Sequence, residues 1–315
     1  MDALREPDNA TVLVTGASTG LGLALARKLL ATNYRVILTA RESSLPRLAS
    51  AGITESEHVW LRPLDITSAV ERKRVVDEAN ERWGGVDILV NNAGIAYRAV
   101  VEHMTDEGRW DQMNVNFRAP LELIQLVLPG MRHKRAGRII NISSVGGMMA
   151  MPTMALYSAS KFALEGATEA LWYEVRPWNI KVSLVQPGFI RSDSFQRTRY
   201  TEASQQGHDD IANAYHEHYE QMSRMIARLM GRTRATPDHV AEVVLRTMRQ
   251  KDPPLRVAGT WDARGFGLLR RLLPRRMYHA FLYRRLPRVD IWGALCELPD
   301  VAKRDIRDER ESGNK

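Results

Sequence analysis

A regular alternation of short, β-branched apolar runs with helical patterns constrains this chain more than any other feature. The runs occupy 10–16 (ATVLVTG), 35–40 (RVILTA), 58–65 (HVWLRPLD), 86–94 (VDILVNNAG), 138–143 (RIINIS) and 180–188 (IKVSLVQPG), with a last short one near 255–259 (LRVAG). They end in Gly, Asp, Asn or Pro and read as strands buried on both faces. Between them Leu21, Leu25 and Leu29 recur every fourth residue. Ser68 and Glu71 have capping-box spacing ahead of Val75, Val76 and Ala79, and Thr236 precedes Pro237 and an apolar face of Val240, Val244, Leu245 and Met248. Strands alternating with helices imply a doubly wound α/β fold. Its single parallel sheet of about seven strands would carry helices on both faces and gather ligands at the carboxyl ends of the strands.

With 315 residues the chain can bury a sizeable core, and the rhythm from 10 to 260 reads as one domain. Where it lapses, appendages are expected: an N-terminal arm over 1–9, a lid of two polar helices over 192–235, a basic amphipathic extension over 261–300 and a charged tail over 301–315. Cys296 is the single cysteine, which excludes an internal disulfide or a thiolate metal cluster and fits a reducing compartment. His216 and His218 are two apart and do not share a helical face, so they are expected as solvated lid residues and no metal is expected. MDALREPDNA lacks the basic start and apolar middle of a signal peptide, and no stretch has the roughly 18 apolar residues of a membrane span, so a cytoplasmic protein is expected. A formal charge of +8 permits attraction to nucleic acid, anionic lipid or phosphorylated ligands without choosing among them.

Local spacing writes a proton-transfer site. Tyr157 and Lys161 stand at i, i+4 in YSASKFAL, on one helical face, with Ser144 upstream in NISSVGG. An ammonium group beside a phenol favours the phenolate, so Lys161 is expected to lower the Tyr157 pKa. TGASTGLG places Gly16, Gly20 and Gly22, with Ser18, Thr19 and Leu21 between them, at the turn from the first strand into the first helix. There backbone amides and the positive helix end can approach a pyrophosphate. Ala40 stands where an acidic residue would hold the ribose 2′-hydroxyl of NAD, and Arg41 follows, which favours the 2′-phosphate of NADP(H). Glu42 keeps NAD(H) open. Asp65, with Ile66 after it, closes the third strand and is expected either on the adenine amino group or as a cap of the next segment.

TGASTGLG, NNAG (91–94), Asn116, Ser144, Tyr157-x3-Lys161 and Pro187-Gly188, in this order, resemble the short-chain dehydrogenase/reductase family over about 10–260. SSVGGMMAMPTMALYSASKFALEG further resembles its 17β-hydroxysteroid and retinol dehydrogenase branch. The resemblance implies a Rossmann fold and hydride transfer between nicotinamide and a carbonyl or secondary alcohol. It implies Tyr157 as general acid or base, Ser144 on the reacting oxygen, Lys161 also on the nicotinamide ribose, and Asn116 holding a water that links Lys161 to solvent. Asn92, Ala93 and Gly94 would border the adenosine half of the cofactor, and Pro187, Gly188, Ile190 and Ser192 the nicotinamide.

Met148, Met149, Met151 and Met154 suit either an adaptable apolar pocket for a steroid, retinoid or lipid-like substrate or ordinary core packing. Over 264–288 arginines interleave with leucines, so that this segment either lies on an anionic membrane or packs near the substrate entrance with its arginines in solvent. A homodimer is expected through the helix that carries Tyr157, Phe162 and Trp172. Alternative readings are a catalytically silent nucleotide-binding scaffold or sensor and a 3-oxoacyl-type reductase; nucleic-acid binding is not expected, since no recognised module accompanies the charge.

Overall fold

The computed structural model describes residues 9–192 and 197–293, so most of the expected N-terminal arm, the charged tail and Cys296 lie outside the described residues. Seven strands form one parallel sheet: β1 (Thr11–Val14), β2 (Arg35–Ala40), β3 (Val59–Pro63), β4 (Ile88–Asn91), β6 (Gly137–Ile142), β7 (Ile180–Gln186) and β9 (Arg256–Ala258). Their spatial order is β3-β2-β1-β4-β6-β7-β9, and the order reverses between β1 and β4, which places a crevice at the strand ends there.

Period-two side-chain alternation explains why these runs are apolar throughout. Val12, Val14, Val36, Leu38, Val90 and Ile140 point to a core shared with α1 (Gly20–Leu29) and α9 (Pro237–Arg249). Their neighbours Leu13, Ile37, Leu89, Ile139 and Val182 point to a second core beneath α3 (Ala69–Trp83), α5 (Ala119–Lys134) and α6 (Ala155–Val175). Leu25 and Leu29 are fully buried, each contributing roughly 1.5–3 kcal/mol of burial. Thr236 caps α9 by accepting from the His239 amide. The Ser68–Glu71 capping box is only half made: Ser68 Oγ accepts from the Glu71 amide, but the Glu71 carboxylate reaches back to the amide of Asp65.

The segment after β7 differs from its expected form. α7 (Glu202–Asp209) and α8 (His216–Arg232) are present, but β8 (Arg199–Tyr200) also forms, pairing parallel with β5 (Tyr97–Arg98) in a second, two-stranded sheet. α8 is not polar all round, because Tyr219, Met222 and Ile226, at i, i+3 and i+7, are buried. Nor is His218 solvated: it is half-buried against Trp292, with ring centroids 4.6 Å apart, and burial lowers its pKa. The remaining elements are α2 (Pro46–Ser50), α4 (Asp106–Met113), and α10 (Trp261–Leu272) followed by α11 (Arg275–Arg284) across Pro274. No described helix is long and apolar enough to cross a membrane.

Candidate active site

The loops at the carboxyl ends of β1, β4, β6 and β7 converge. At the first, Gly16 has φ +68°, and a Cβ on Gly22 would sit 2.1 Å from the Gly16 carbonyl oxygen, so α1 can start this close to β1 only with glycine there. No side chain caps α1, and its first turn carries no acidic residue, so its positive end stays suited to an anion. Gly20 is exposed, Thr19 and Leu21 are half-exposed, and Ser18 is buried at the turn. The turn is held from β4: Thr15 Oγ accepts from the amides of Asn92 and Ala93, and Asn92 Nδ2 donates to the carbonyls of Thr15 and Gly16. The Asn92 side chain therefore positions the turn.

Arg41 is exposed just past β2, whose last residue, Ala40, is buried. Asp65 caps locally, its Oδ1 accepting from the Thr67 amide at 2.9 Å and hydroxyl at 2.7 Å. Burial pushes this carboxyl up, but those bonds and the charges of Arg41 and Arg72 outweigh burial and hold it below the ordinary value. Ile66 is buried with Val115 and Ala119. The glycine turn, with its uncapped helix end, fits the pyrophosphate of a nicotinamide dinucleotide, and Arg41 stands past β2 as an exposed guanidinium.

Tyr157 and Lys161 lie in the first two turns of α6. A Cβ on Gly146 would come within 2.9 Å of the Tyr157 ring, so glycine is what lets the loop after β6 lie against it. Ser144 closes that loop, accepting from the Gly146 amide at 3.1 Å, and its hydroxyl and the Tyr157 ring meet at Gly146, where it favours ionisation of the phenol. Ser143 turns the other way and donates to Glu165 at 2.7 Å, so Ser144 alone of the pair faces Tyr157. Asn116 is fully buried in a π-helical segment (Asn114–Arg118) between α4 and α5. Its Oδ1 accepts from the Ile95 amide, and its Nδ2 donates to Ile95 O and to Ser160 Oγ at 3.0 Å. Ser160 in turn donates to the Tyr157 carbonyl at 2.8 Å. Asn116 and Lys161 meet at Gly94, where a methyl group would lie 3.3 Å from Asn116 Oδ1 and 3.8 Å from Lys161 Nζ.

One expectation is corrected. Lys161 does not depress the Tyr157 pKa; burial pushes the phenol above its ordinary value of 10.0, and only Ser144 opposes. The ammonium lies 5.9 Å from the ring centroid and donates to the Ile142 carbonyl at 2.9 Å. Burial also lowers the Lys161 pKa to about 8, although the Glu165 charge raises it.

Four further residues join the site. Glu165 extends the Tyr157, Lys161 spacing by another i+4 and accepts from Ser143 Oγ and Gln186 Nε2, tying the ends of β6 and β7 together; that spacing was visible in the sequence. After β7 the Pro187 carbonyl accepts from Val145 N, and Ile190 packs on the core. Gly188 N donates to Thr260 Oγ at 2.9 Å, and Phe189 N to Asp262 Oδ2 at 2.8 Å. Nothing in the sequence linked Thr260 and Asp262 to this loop 70 residues earlier. Ser192 is half-buried at the end of the described loop. Met148, Met149 and Met154 are buried and Met151 half-exposed; Met148 lines a cleft of about 420 Å³ with Phe162 and Gly267, between α6 and α10. Among the described residues no group of three or more His, Cys, Asp or Glu is arranged to hold a metal ion.

Comparison with known proteins fits this geometry. The short chain dehydrogenase family profile matches residues 10–203. A 3-ketodihydrosphingosine reductase of Bacteroides thetaiotaomicron is 34% identical over 245 residues, which cover 78% of this chain and 86% of that protein. A solved short-chain dehydrogenase/reductase from Burkholderia phymatum, in complex with NAD, superposes with a TM-score of 0.70 over 90% of this chain and 97% of its own, at 20% identity, a likeness of fold. A metagenomic short-chain oxidoreductase in complex with NADP superposes with a TM-score of 0.59 at 27% identity, over 79% of this chain and 96% of its own. The chain belongs to the short-chain dehydrogenase/reductase family and is an NAD(P)-dependent oxidoreductase.

Proposed function

We propose that this enzyme prefers NADP(H) and moves hydride between the nicotinamide and a carbonyl or secondary alcohol of a hydrophobic substrate, with Tyr157 as the general acid or base. The observation that carries the reading is the cluster in which Ser144 and the Tyr157 ring meet at Gly146, while Asn116, joined through Ser160 to the Tyr157 carbonyl, meets Lys161 at Gly94. The nicotinamide supplies or accepts the hydride when bound. Ser144 donates to the reacting oxygen, Tyr157 gives that oxygen its proton, and Lys161, protonated below about pH 8, supplies the proton that restores the phenol. Asn116 holds the path by which Lys161 exchanges protons with solvent. A preference for NADPH favours ketone reduction over alcohol oxidation.

Gly16, Ser18, Thr19, Gly20, Leu21 and Gly22 take the pyrophosphate, Arg41 the 2′-phosphate, Asp65, Ile66 and 92–94 the adenosine side, and Pro187, Gly188, Ile190 and Ser192 the nicotinamide. Support for a hydrophobic substrate comes from the methionines before Tyr157 and from a relative named as a reductase of a keto compound. The lid expected over 192–235, described from residue 197 onward, covers that substrate. Exposed Phe162, Ala170 and Tyr173 on one face of α6 support pairing into a homodimer. Purified protein offered NADPH or NADH and a panel of hydrophobic ketones and aldehydes should oxidise NADPH with at least one of them. Tight cofactor binding without turnover on the whole panel would favour the scaffold reading instead.

A further inference from the structure

The positive charge of the chain is concentrated. Residues 261–288 hold eight arginines and one aspartate, a surplus of seven, so that of the formal +8 only +1 belongs to the rest of the chain. On α10, Trp261, Leu268 and Leu272 stand at i, i+7 and i+11 and share a face that is turned out, with exposures of 78%, 55% and 68%. The opposite face packs: Ala263 is buried, Gly267 is turned towards Met148, and Arg270 lies over the Phe162 ring at 5.3 Å. On α11, Met277 and Phe281, one turn apart, are also exposed, while Tyr278 is buried. Guanidinium groups edge both stripes, Arg264 lying 5.5 Å from the Trp261 ring and Arg285 4.9 Å from the Phe281 ring.

We infer that the outer face of α10 and α11 is a docking surface for an anionic phospholipid bilayer. Helices of this kind lie in the interface plane, their apolar stripe at the acyl boundary and their arginines among the phosphates. Tryptophan favours that depth. The charge argues against a second copy of the chain on this face, since two such surfaces would bring a surplus of seven against another seven. A nucleic acid would use the arginines but leave the Trp261, Leu268 and Leu272 stripe in water. α10 starts at the Thr260 and Asp262 that hold Gly188 and Phe189, so docking would bring the strand-end site to the lipid surface where a hydrophobic substrate collects. That consequence rests on the proposed function; the docking does not.

Flotation of the full chain with vesicles of phosphatidylcholine, alone and with phosphatidylserine, tests it at low and high salt. We expect recovery with the anionic vesicles, weakened by salt. Arg264→Gln with Arg271→Gln should lower partitioning roughly thirtyfold, and Leu268→Asp with Leu272→Asp should remove it. Lys73→Gln, exposed on α3, should leave it unchanged. Unaltered circular dichroism shows that each variant folds, and NADPH binding reports the cofactor site separately, so loss of one reading is distinguishable from loss of the other. Absence from both vesicle fractions, or anionic binding untouched by the four substitutions, overturns the inference. So does a lipid-free dimer that Leu268→Asp and Leu272→Asp convert to monomer, or DNA binding in place of vesicle binding that those substitutions leave intact.

Discussion

Two parts of the molecule, α6 and the segment from 197 to 293, are built by different means. On α6, Tyr157, Lys161 and Glu165 follow one another at i+4 steps, so a single helix sets their relation before any tertiary contact forms. In the segment from 197 to 293 the relations are long-range: Thr201 Oγ donates to the His103 carbonyl, Arg98 of β5 reaches Ser223 of α8, and the Tyr219 hydroxyl accepts from the Val100 amide. Chemistry that depends on spacing is written locally, whereas the walls around it depend on residues about a hundred positions apart. Changes on α6 should therefore alter reaction and pH response with little loss of fold, and changes in the later segment should alter local stability first.

The largest effect expected is on the rate. Tyr157→Phe keeps the ring that lies on Gly146 but removes the transferable proton, so kcat should fall about 10²- to 10⁴-fold while NADPH affinity is unchanged. Steady-state kinetics with fluorescence titration of NADPH separates the two. Wild-type turnover in the variant would remove Tyr157 from the mechanism.

Met222→Ala tests the other side. Met222 is fully buried on α8, and truncation should cost about 2–5 kcal/mol. Hydrogen exchange should show the loss concentrated in α7 and α8, with the β1, β4 and β6 amides still protected. Uniform loss across the sheet would mean that the later segment and the sheet unfold as one unit.

Arg41→Ala should weaken NADPH binding by about 1.5–3 kcal/mol, the usual value of a charge-assisted hydrogen bond, and leave NADH nearly unchanged. Equal weakening of both would show that Arg41 does not read the 2′-phosphate and would favour Glu42 on a ribose 2′-hydroxyl.

What could be read beforehand follows the same division. The sheet was legible because each strand is apolar on both faces, and Ser144 was separable from Ser143 by its distance from Tyr157. Glu165 carries the same i+4 signal. The effect of Lys161 on Tyr157 is not legible in the sequence, because spacing reports proximity along a helix but not burial, and burial dominates both pKa shifts here. The two-residue strands β5 and β8 have no length in which a period could appear, and α8 hides Tyr219, Met222 and Ile226 among histidines and arginines. Which side of α10 packs inward depends on Met148 and Phe162, far away in the chain.

The smallest predicted effect discriminates best between scaffold and chemistry on α6. Glu165 accepts from Ser143 and Gln186, and its charge raises the Lys161 pKa against burial, with Arg256 3.6 Å from its other oxygen. Glu165→Gln can keep an oxygen acceptor for both bonds but loses the charge. Ketone reduction by the wild type should be level at low pH and decline above about 8, as Lys161 loses the proton that it returns to Tyr157. In the variant the Lys161 pKa falls, so the declining limb should move to lower pH, with less than about a tenfold loss of kcat at pH 7. Glu165→Ala breaks the bonds as well and should lower kcat at every pH in addition to moving the limb. A limb that stays in place in Glu165→Gln, with full activity, would make Glu165 a brace for the ends of β6 and β7 and nothing more. The proton chemistry on α6 would then stop at Lys161.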